Sequence, residues 1–193
     1  GADFVAISAH KMAGPTGIGC ILVRRDAMAE MVPFMTGGSM IKRVTTEGST
    51  FQEGHAMFET GTPRIAEAIG WGAAVEWLEQ FDMKEIHEHI NDVASWTASQ
   101  MHEIPGIRVY GDPGREDSSG AVSFLHETIQ SQDLALLLDE GGFAVRTGHH
   151  CAQPLMDALG VPSTNRASFW IYNTIEEAEF FVQHLREVVD RFA

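Results

Sequence analysis

The chain has 193 residues, 44% of them hydrophobic and 21% charged, so it can bury a core in one or two domains. Its formal net charge of -14 at pH 7 repels phosphate backbones and anionic lipid, which argues against nucleic-acid and membrane binding. No apolar run reaches the ~18 residues that a transmembrane helix needs, and no signal peptide is recognisable. We therefore expect a cytoplasmic protein.

The start of the chain predicts two strands separated by a turn that carries a lysine. Residues 3–8 and 18–23 are short apolar runs typical of buried strands, and the segment between them contains glycine and proline. Lys11 lies at the exit of the first strand. Cys20 falls inside the second run, where we expect a small core residue.

A segment rich in Gly, Ser and Thr follows, over residues 36–62. It lacks clear periodicity, which favours a functional or disordered loop. At its end Thr62 precedes Pro63, a pair that predicts the cap and the first residue of a helix reaching about residue 80. The backbone N–H groups and hydroxyl at Gly61 and Thr62 could instead bind an anion such as phosphate.

The remainder predicts a self-contained α+β layer, with helices on a sheet. Thr174 and Glu177 form a capping box that should begin the last helix. The predicted elements are a helix over 86–104, strands at 107–110, 121–125, 143–145 and 166–172, a helix over 131–140 and the last helix. Two helices carry apolar faces at helical spacing: Ile86, Ile90, Val93, Thr97, Met101 and Ile104 in one, and Ala178, Phe181, Val182, Leu185, Val188, Val189 and Phe192 in the other.

Cys151 lies in a polar loop behind Arg146, His149 and His150. Positive neighbours favour the reactive thiolate, and histidine can shuttle protons near neutral pH, so the pattern indicates a cysteine nucleophile. One alternative is a metal site on the two histidines and the thiol, but adjacent residues seldom ligate one ion and nothing completes a tetrahedral set. A purely structural loop is the other alternative.

Two further cations suit small-molecule chemistry. Lys11, with Ser8 and His10 beside it, could form a Schiff base with a carbonyl if its amine is desolvated. A surface lysine is the alternative interpretation. Arg166 begins a predicted apolar strand, where it could grip a carboxylate through two parallel hydrogen bonds or form an internal salt bridge.

In combination, these motifs resemble those of the SufS-type (group II) cysteine desulfurases, class V aminotransferase-like enzymes of the fold-type I pyridoxal 5'-phosphate (PLP) class. The resemblance covers essentially the whole chain, in order. It implies an α/β with α+β fold, in which residues 1–85 end a large PLP-binding domain and residues 86–193 form a small C-terminal α+β domain. The matching stretches are 8–19, 37–41, 58–63, 144–154, 166–168 and 172–174.

The resemblance implies four cofactor-binding residues. Lys11 would hold PLP and later abstract the substrate Cα proton. Ser8 and His10 would contact the cofactor phosphate. Thr62 would reach the phosphate bound by the other subunit of a homodimer.

It also implies how L-cysteine is handled. Cys151 would attack the substrate sulfur and become a persulfide, with release of alanine, as a sulfur supply for iron–sulfur cluster assembly. Arg166 would bind the substrate carboxylate, and Arg146 and His149 would line the approach to Cys151. No metal is expected.

In the family the cofactor lysine falls near the middle of the polypeptide, so we expect this chain to be the carboxy-terminal part of a desulfurase and to be inactive alone. A SufE- or SufU-like sulfur acceptor is the expected partner. Selenocysteine lyase and cysteine sulfinate desulfinase are alternatives with the same chemistry. A non-catalytic dimerisation or acceptor-binding module is an alternative of another class.

Overall fold

The structure is a computed structural model that describes residues 1–192, and the chain divides into two compact units after Phe81. Asp82 begins the second unit by capping helix α3 (Met83–Met101), since its carboxylate accepts a hydrogen bond from Lys84 N at 2.7 Å. The division precedes the boundary predicted at residue 85, which lies inside the first turn of α3. No helix within residues 1–192 is long and apolar enough to cross a membrane.

The first unit opens with an antiparallel ribbon of β1 (Phe4–Ser8) and β2 (Gly19–Val23). Both predicted strands are present, but within residues 1–192 they are not buried as predicted. The side chains of Phe4, Ile21 and Leu22 are each more than half exposed, and Cys20 is half-buried rather than a core residue. A two-stranded ribbon has two faces, and the rest of this unit, including the short helix α1 (Arg25–Ala29), leaves much of both uncovered.

The segment predicted as a loop contains a hairpin of β3 (Ile41–Val44) and β4 (Ser49–Phe51). Local side-chain chemistry closes its turn, because the Thr45 hydroxyl accepts hydrogen bonds from Glu47 N at 3.3 Å and Gly48 N at 3.2 Å. Because a sequence rich in Ser and Thr lacks strand periodicity, the turn at Thr45 is the sequence feature that indicates a hairpin here.

Helix α2 (Ile65–Leu78) begins later than predicted. Gly61, at φ +76°, still turns back to donate a hydrogen bond to Gly38 O at 2.9 Å, so helical geometry starts only after Arg64. Thr62 is therefore an exposed loop residue and does not cap the helix, which corrects the capping prediction.

The second unit is built on a four-stranded antiparallel sheet, in the order β5, β6, β8, β7. Helix α3, α4 (Ser131–Glu140) and α6 (Ile175–Phe192) pack on it, and the short α5 (Gln153–Leu159) follows β7. The strands are β5 (Ile107–Tyr110), β6 (Ala121–His126), β7 (Arg146–Gly148) and β8 (Thr164–Ser168). Fully buried side chains of this core include Met101, Val122, Phe124, Leu134, Leu138 and Leu185.

The predicted inner faces of α3 and α6 are confirmed, because every apolar residue assigned to them is buried except Phe192. That ring is 49% exposed at the end of α6, past the last core residue, under the guanidinium of Arg191. The capping box is also confirmed: Thr174 N donates to Glu177 Oε2 at 3.0 Å and Glu177 N donates to Thr174 Oγ1 at 3.1 Å.

Two strands are displaced along the chain from their predicted positions. The strand predicted at 143–145 is β7, at Arg146–Gly148, because Phe143 instead packs its ring 5.6 Å from that of Phe181. The strand predicted at 166–172 is β8, which ends at Ser168, and a turn in which Trp170 N donates to Asn173 Oδ1 follows. Arg146 is thereby a strand residue rather than a loop residue.

Candidate active site

Cys151 lies at the tip of a tight turn that follows β7. Ala152 N donates to His149 O at 2.9 Å, and the two residues between them, His150 and Cys151, have φ values of +55° and +62°. Positive φ at both central residues is the pattern of a type I′ turn. Histidine is among the residues that tolerate this region, but cysteine has no such preference, and a left-handed non-glycine residue costs of order 1–3 kcal/mol. Surrounding contacts must therefore hold Cys151 in this exposed position.

Arg146 faces the thiol. Its Nη2 lies 3.8 Å from Cys151 Sγ, within hydrogen-bond distance for sulfur, so the guanidinium can stabilise negative charge there. Arg146 also lies directly opposite Arg166 in the β7–β8 pairing. Residues directly opposite in an antiparallel pair present their side chains on one face, so the structure brings Arg146, Arg166 and Cys151 to the same side of the sheet.

Two like charges opposite each other destabilise a sheet unless an anion lies between them. Among residues 1–192, no Asp or Glu oxygen lies within 4.0 Å of the Arg146 or Arg166 guanidinium. The internal salt bridge considered for Arg166 is therefore absent from the described structure. Instead, Arg166 Nε donates to Ser168 Oγ at 3.1 Å, which leaves its outer N–H groups available for a carboxylate.

The two adjacent histidines point to different environments. His149 is exposed, whereas His150 is half-buried with its Nε2 at 3.0 Å from both the carbonyl oxygen and the hydroxyl of Thr164. Burial is the main cause that lowers the pKa of His150, and the positive charges of Arg166 and Arg146 lower it further. The lowered pKa favours the neutral imidazole of His150 at pH 7, and the guanidinium beside Cys151 is that of Arg146.

Within residues 1–192, no group of three or more His, Cys, Asp or Glu side chains is arranged to hold a metal ion. The histidine–cysteine site weighed from the sequence has a physical obstacle: Nε2 of His150 is engaged by Thr164, while Cys151 contacts Arg146.

In the first unit, Lys11 ends a single 3-10 turn, Ala9–Lys11, that follows β1. Ala9 is fully buried, and its carbonyl oxygen accepts hydrogen bonds from Met12 N at 2.8 Å and Gly14 N at 2.9 Å. A Cβ on Gly14 would lie 2.9 Å from that same oxygen, so the close approach requires glycine. The turn fixes the backbone that carries Lys11.

The side chains of Ser8, His10 and Lys11 are suited to bind a ligand that carries both a carbonyl group and a phosphate. Ser8 is half-buried and does not cap the turn, and His10 and Lys11 are exposed. Within residues 1–192 none of the three side chains has a carboxylate partner. An amine can bond an aldehyde carbon, and a hydroxyl and an imidazole can donate to phosphate oxygens, so this donor set fits PLP.

A cavity of about 930 Å³ in the first unit lies elsewhere. Thr62 and Arg64 line it together with Trp71 and Cys20, whereas Ser8, His10 and Lys11 do not. This cavity thus does not bring Thr62 together with the three side chains.

Sequence reasoning missed the two contacts that orient the charged groups. Ser168 lies two residues after Arg166, and their side chains share one face only because side chains alternate between the two faces of strand β8. The contact of Thr164 with His150 depends on a turn whose two central residues have positive φ values. Neither residue is glycine, so the sequence does not indicate this turn.

Comparison with known proteins agrees with this arrangement. The aminotransferase class-V family matches residues 1–181. The cysteine desulfurase of Haloferax volcanii is 43% identical over 192 residues, which are 100% of this chain and 45% of that protein. A probable cysteine desulfurase of Halalkalibacterium halodurans is 44% identical over 100% of this chain and 47% of its own length. The chain thus spans about half the length of the curated relatives it matches.

Solved structures give the same result. The cysteine desulfurase CsdA of Escherichia coli superposes with a TM-score of 0.92 at 34% identity, over 99% of this chain and 47% of that one. The cysteine desulfurase of Thermococcus onnurineus superposes with a TM-score of 0.93 at 35% identity, over 99% and 48%. The expected resemblance and fold class are confirmed, and the chain belongs to the aminotransferase class-V family, whose cysteine desulfurases depend on PLP.

Proposed function

We propose that this chain supplies the lysine and the cysteine of a PLP-dependent cysteine desulfurase, which converts L-cysteine to L-alanine and retains the sulfur as a persulfide on Cys151. One observation carries the proposal. An exposed thiol shares a sheet face with Arg146 and Arg166, which lack carboxylate partners in the described structure. Such a site can bind the carboxylate of an amino acid and accept an atom from it.

Residues 1–85 would end the large cofactor domain, and residues 86–193 would form the small domain. Lys11 would bind the aldehyde carbon of PLP, while Ser8 and His10 would donate hydrogen bonds to its phosphate. When bound, PLP supplies an electron sink for the substrate. Lys11 would also take up the Cα proton. Thr62 lines a cavity that Ser8, His10 and Lys11 do not line, and it would reach the phosphate bound by the partner subunit of a homodimer, as the family resemblance implies.

The sulfur-transfer step follows from the position of Cys151. Its thiolate attacks the sulfur of L-cysteine, so that a sulfur–sulfur bond forms while the substrate carbon–sulfur bond breaks. The bonding electron pair remains with the substrate carbon, which takes a proton and leaves as the methyl group of alanine. The two sulfurs are oxidised as that carbon is reduced, so no external oxidant is needed.

Arg166 and Arg146 would have different roles. Arg166, oriented by Ser168, would bind the substrate carboxylate through its outer N–H groups. Arg146 would stabilise the Cys151 thiolate. The exposed His149 would line the approach to the thiol.

Exposure of Cys151 also supports transfer of sulfur to another protein. A SufE- or SufU-like acceptor thiol would attack the outer sulfur of the persulfide, and a cytoplasmic iron–sulfur cluster assembly pathway would consume it.

The deciding experiment compares Cys151→Ser with Cys20→Ser in the desulfurase that contains this chain. We expect Cys151→Ser to lower alanine formation from L-cysteine by at least about 10³-fold, because the nucleophile is lost. Mass analysis should find the extra sulfur on the Cys151 peptide of the parent enzyme and of Cys20→Ser. Persulfide formation that persists elsewhere after Cys151→Ser would contradict the proposal.

A second measurement tests the substrate. The enzyme should release alanine from L-cysteine and leave the substrate sulfur on Cys151. Turnover of L-selenocysteine or of cysteine sulfinate without turnover of L-cysteine would assign the chain to the corresponding alternative activity.

A further inference from the structure

We propose that His150 is a positioning residue: its imidazole, bound to Thr164, holds the left-handed turn that keeps Cys151 Sγ beside Arg146. The meaning of this role for sulfur transfer rests on the proposed function. The geometric claim concerns only the second unit and can be tested without turnover.

The contacts converge on one nitrogen. Nε2 of His150 lies 3.0 Å from Thr164 O and 3.0 Å from Thr164 Oγ1. A carbonyl oxygen only accepts, so Nε2 must carry the hydrogen and donate it. Thr164 is fully buried in β8, where it pairs with Gly148 of β7. The imidazole is thus tied to a rigid sheet position, and the next residue along the chain is Cys151.

The other ring nitrogen defines the charge state. Nδ1 of His150 is buried and has no hydrogen-bond partner within residues 1–192. A neutral ring leaves an unprotonated acceptor there, whereas a protonated ring would bury a charged N–H donor without an acceptor, which is costlier. The charged and titratable groups acting on the ring are Arg146 on β7, Arg166 on β8 and His149 on the turn, and all disfavour protonation. Burial has the largest effect in lowering the pKa of His150 and outweighs the hydrogen bond to Thr164, which raises it.

The anchored ring explains why a strained turn persists. Cys151 has φ +62°, a conformation that cysteine does not favour, and it is exposed, so its own side chain contributes little packing. The anchor on the preceding residue fixes the direction in which Cys151 leaves the turn. That direction places Sγ at 3.8 Å from Arg146 Nη2.

The neighbouring histidine shows that residue type alone does not create the anchor. His149 lies one position earlier and is exposed. Its backbone carbonyl closes the turn by accepting from Ala152 N at 2.9 Å, so it belongs to the turn without its imidazole being held in the same way.

The test is a double-mutant cycle on the reactivity of Cys151 in the 193-residue chain. Iodoacetamide modification of the Cys151 peptide is followed by mass analysis from about pH 5 to about pH 9, which separates it from Cys20. Arg146→Gln should slow alkylation about 5- to 10-fold at neutral pH, the effect of removing a charge-assisted hydrogen bond. His150→Ala should slow it by a similar factor.

The decisive quantity is the coupling between the two changes. In the His150→Ala background, Arg146→Gln should alter the rate by less than about 2-fold, because the thiol no longer lies beside the arginine. His150→Gln, whose Nε2 can still donate to Thr164 O, should recover most of the rate and most of the Arg146 effect. His102→Ala, at an exposed position after α3, is the matched control and should change neither.

Additive effects of His150→Ala and Arg146→Gln, in variants with unchanged circular dichroism, would overturn the positioning role. Thr164→Val keeps the carbonyl acceptor and removes the hydroxyl, so it should weaken the coupling without abolishing it. If His150→Ala fails to fold, the comparison of His150→Gln with Thr164→Val decides the question. Failure of Cys151 to form a persulfide would refute the proposed function and leave this coupling result intact.

Discussion

The β1–β2 ribbon and the sheet of the second unit have similar apolar strand sequences but opposite environments. In the ribbon, Phe4, Ile21 and Leu22 are largely exposed, whereas Val122 and Phe124 of β6 are fully buried under helices. Apolar composition therefore specifies that a strand forms, and the layers packed on it specify whether it is buried. The turn that carries Cys151 follows a strand of a sheet that packs on a core within its own unit. The turn that carries Lys11 follows a two-stranded ribbon that has no such core within the described residues.

Truncation of one phenylalanine in each region tests the difference in packing most directly. Phe124→Ala should lower the free energy of unfolding by about 3–5 kcal/mol, because it leaves a cavity in a fully packed core. Phe4→Ala, at a side chain 51% exposed, should change it by less than about 1 kcal/mol. Urea unfolding monitored by circular dichroism measures both, and equal losses would mean that the ribbon is packed as tightly as the sheet.

Amide hydrogen exchange tests the same difference in packing without mutation. We expect the β6 amides to exchange at least about tenfold more slowly than those of β1 and β2, since opening β6 requires disruption of the core. Tyr110, opposite Ser123, and Phe4, opposite Val23, provide amides for comparison at strand ends. Stronger protection at residues 3–23 than at residues 120–146 would contradict the assignment.

The N-termini of one helix in each unit allow a further test, with a smaller expected change in the free energy of unfolding. Thr174→Ala removes half of a capping box with bonds of 3.0 and 3.1 Å and should cost about 1 kcal/mol of unfolding free energy. Thr62→Ala should cost only a few tenths, because Thr62 precedes the Arg64 cap of α2 and is exposed. Thermal unfolding of the two variants side by side checks this, and a larger loss for Thr62→Ala would restore the capping interpretation.

Sequence patterns predicted the features that depend on neighbours along the chain. The inner face of α3 follows from residues three and four apart, and the Thr174–Glu177 box follows from two residues three apart. The residues around Lys11 and Cys151 were also recognisable, because they carry unusual chemistry in short stretches.

Features set by distant partners could not be predicted in the same way. Burial of β1 depends on what covers it, and the position of β7 depends on Phe143 packing against Phe181 of the last helix. The contrast between His149 and His150 depends on a turn with positive φ and on Thr164, which lies 14 residues after His150. Identical neighbours in sequence therefore acquire different environments in the fold.

The smallest expected effect is the pH dependence of the second unit that His150 contributes. Because burial lowers its pKa in the folded state below the ordinary value of 6.5, the unfolded chain binds this proton more readily than the folded chain. The stabilising contribution of the neutral ring is therefore complete above about pH 6.5 and is lost as the pH falls through the lowered folded value. Urea unfolding at a series of pH values should show His150→Gln losing less stability on acidification than the parent chain. His102→Ala, at an exposed position after α3, is the control, and a slope for His150→Gln identical to that of the parent chain would mean that the ring is not held neutral by the fold.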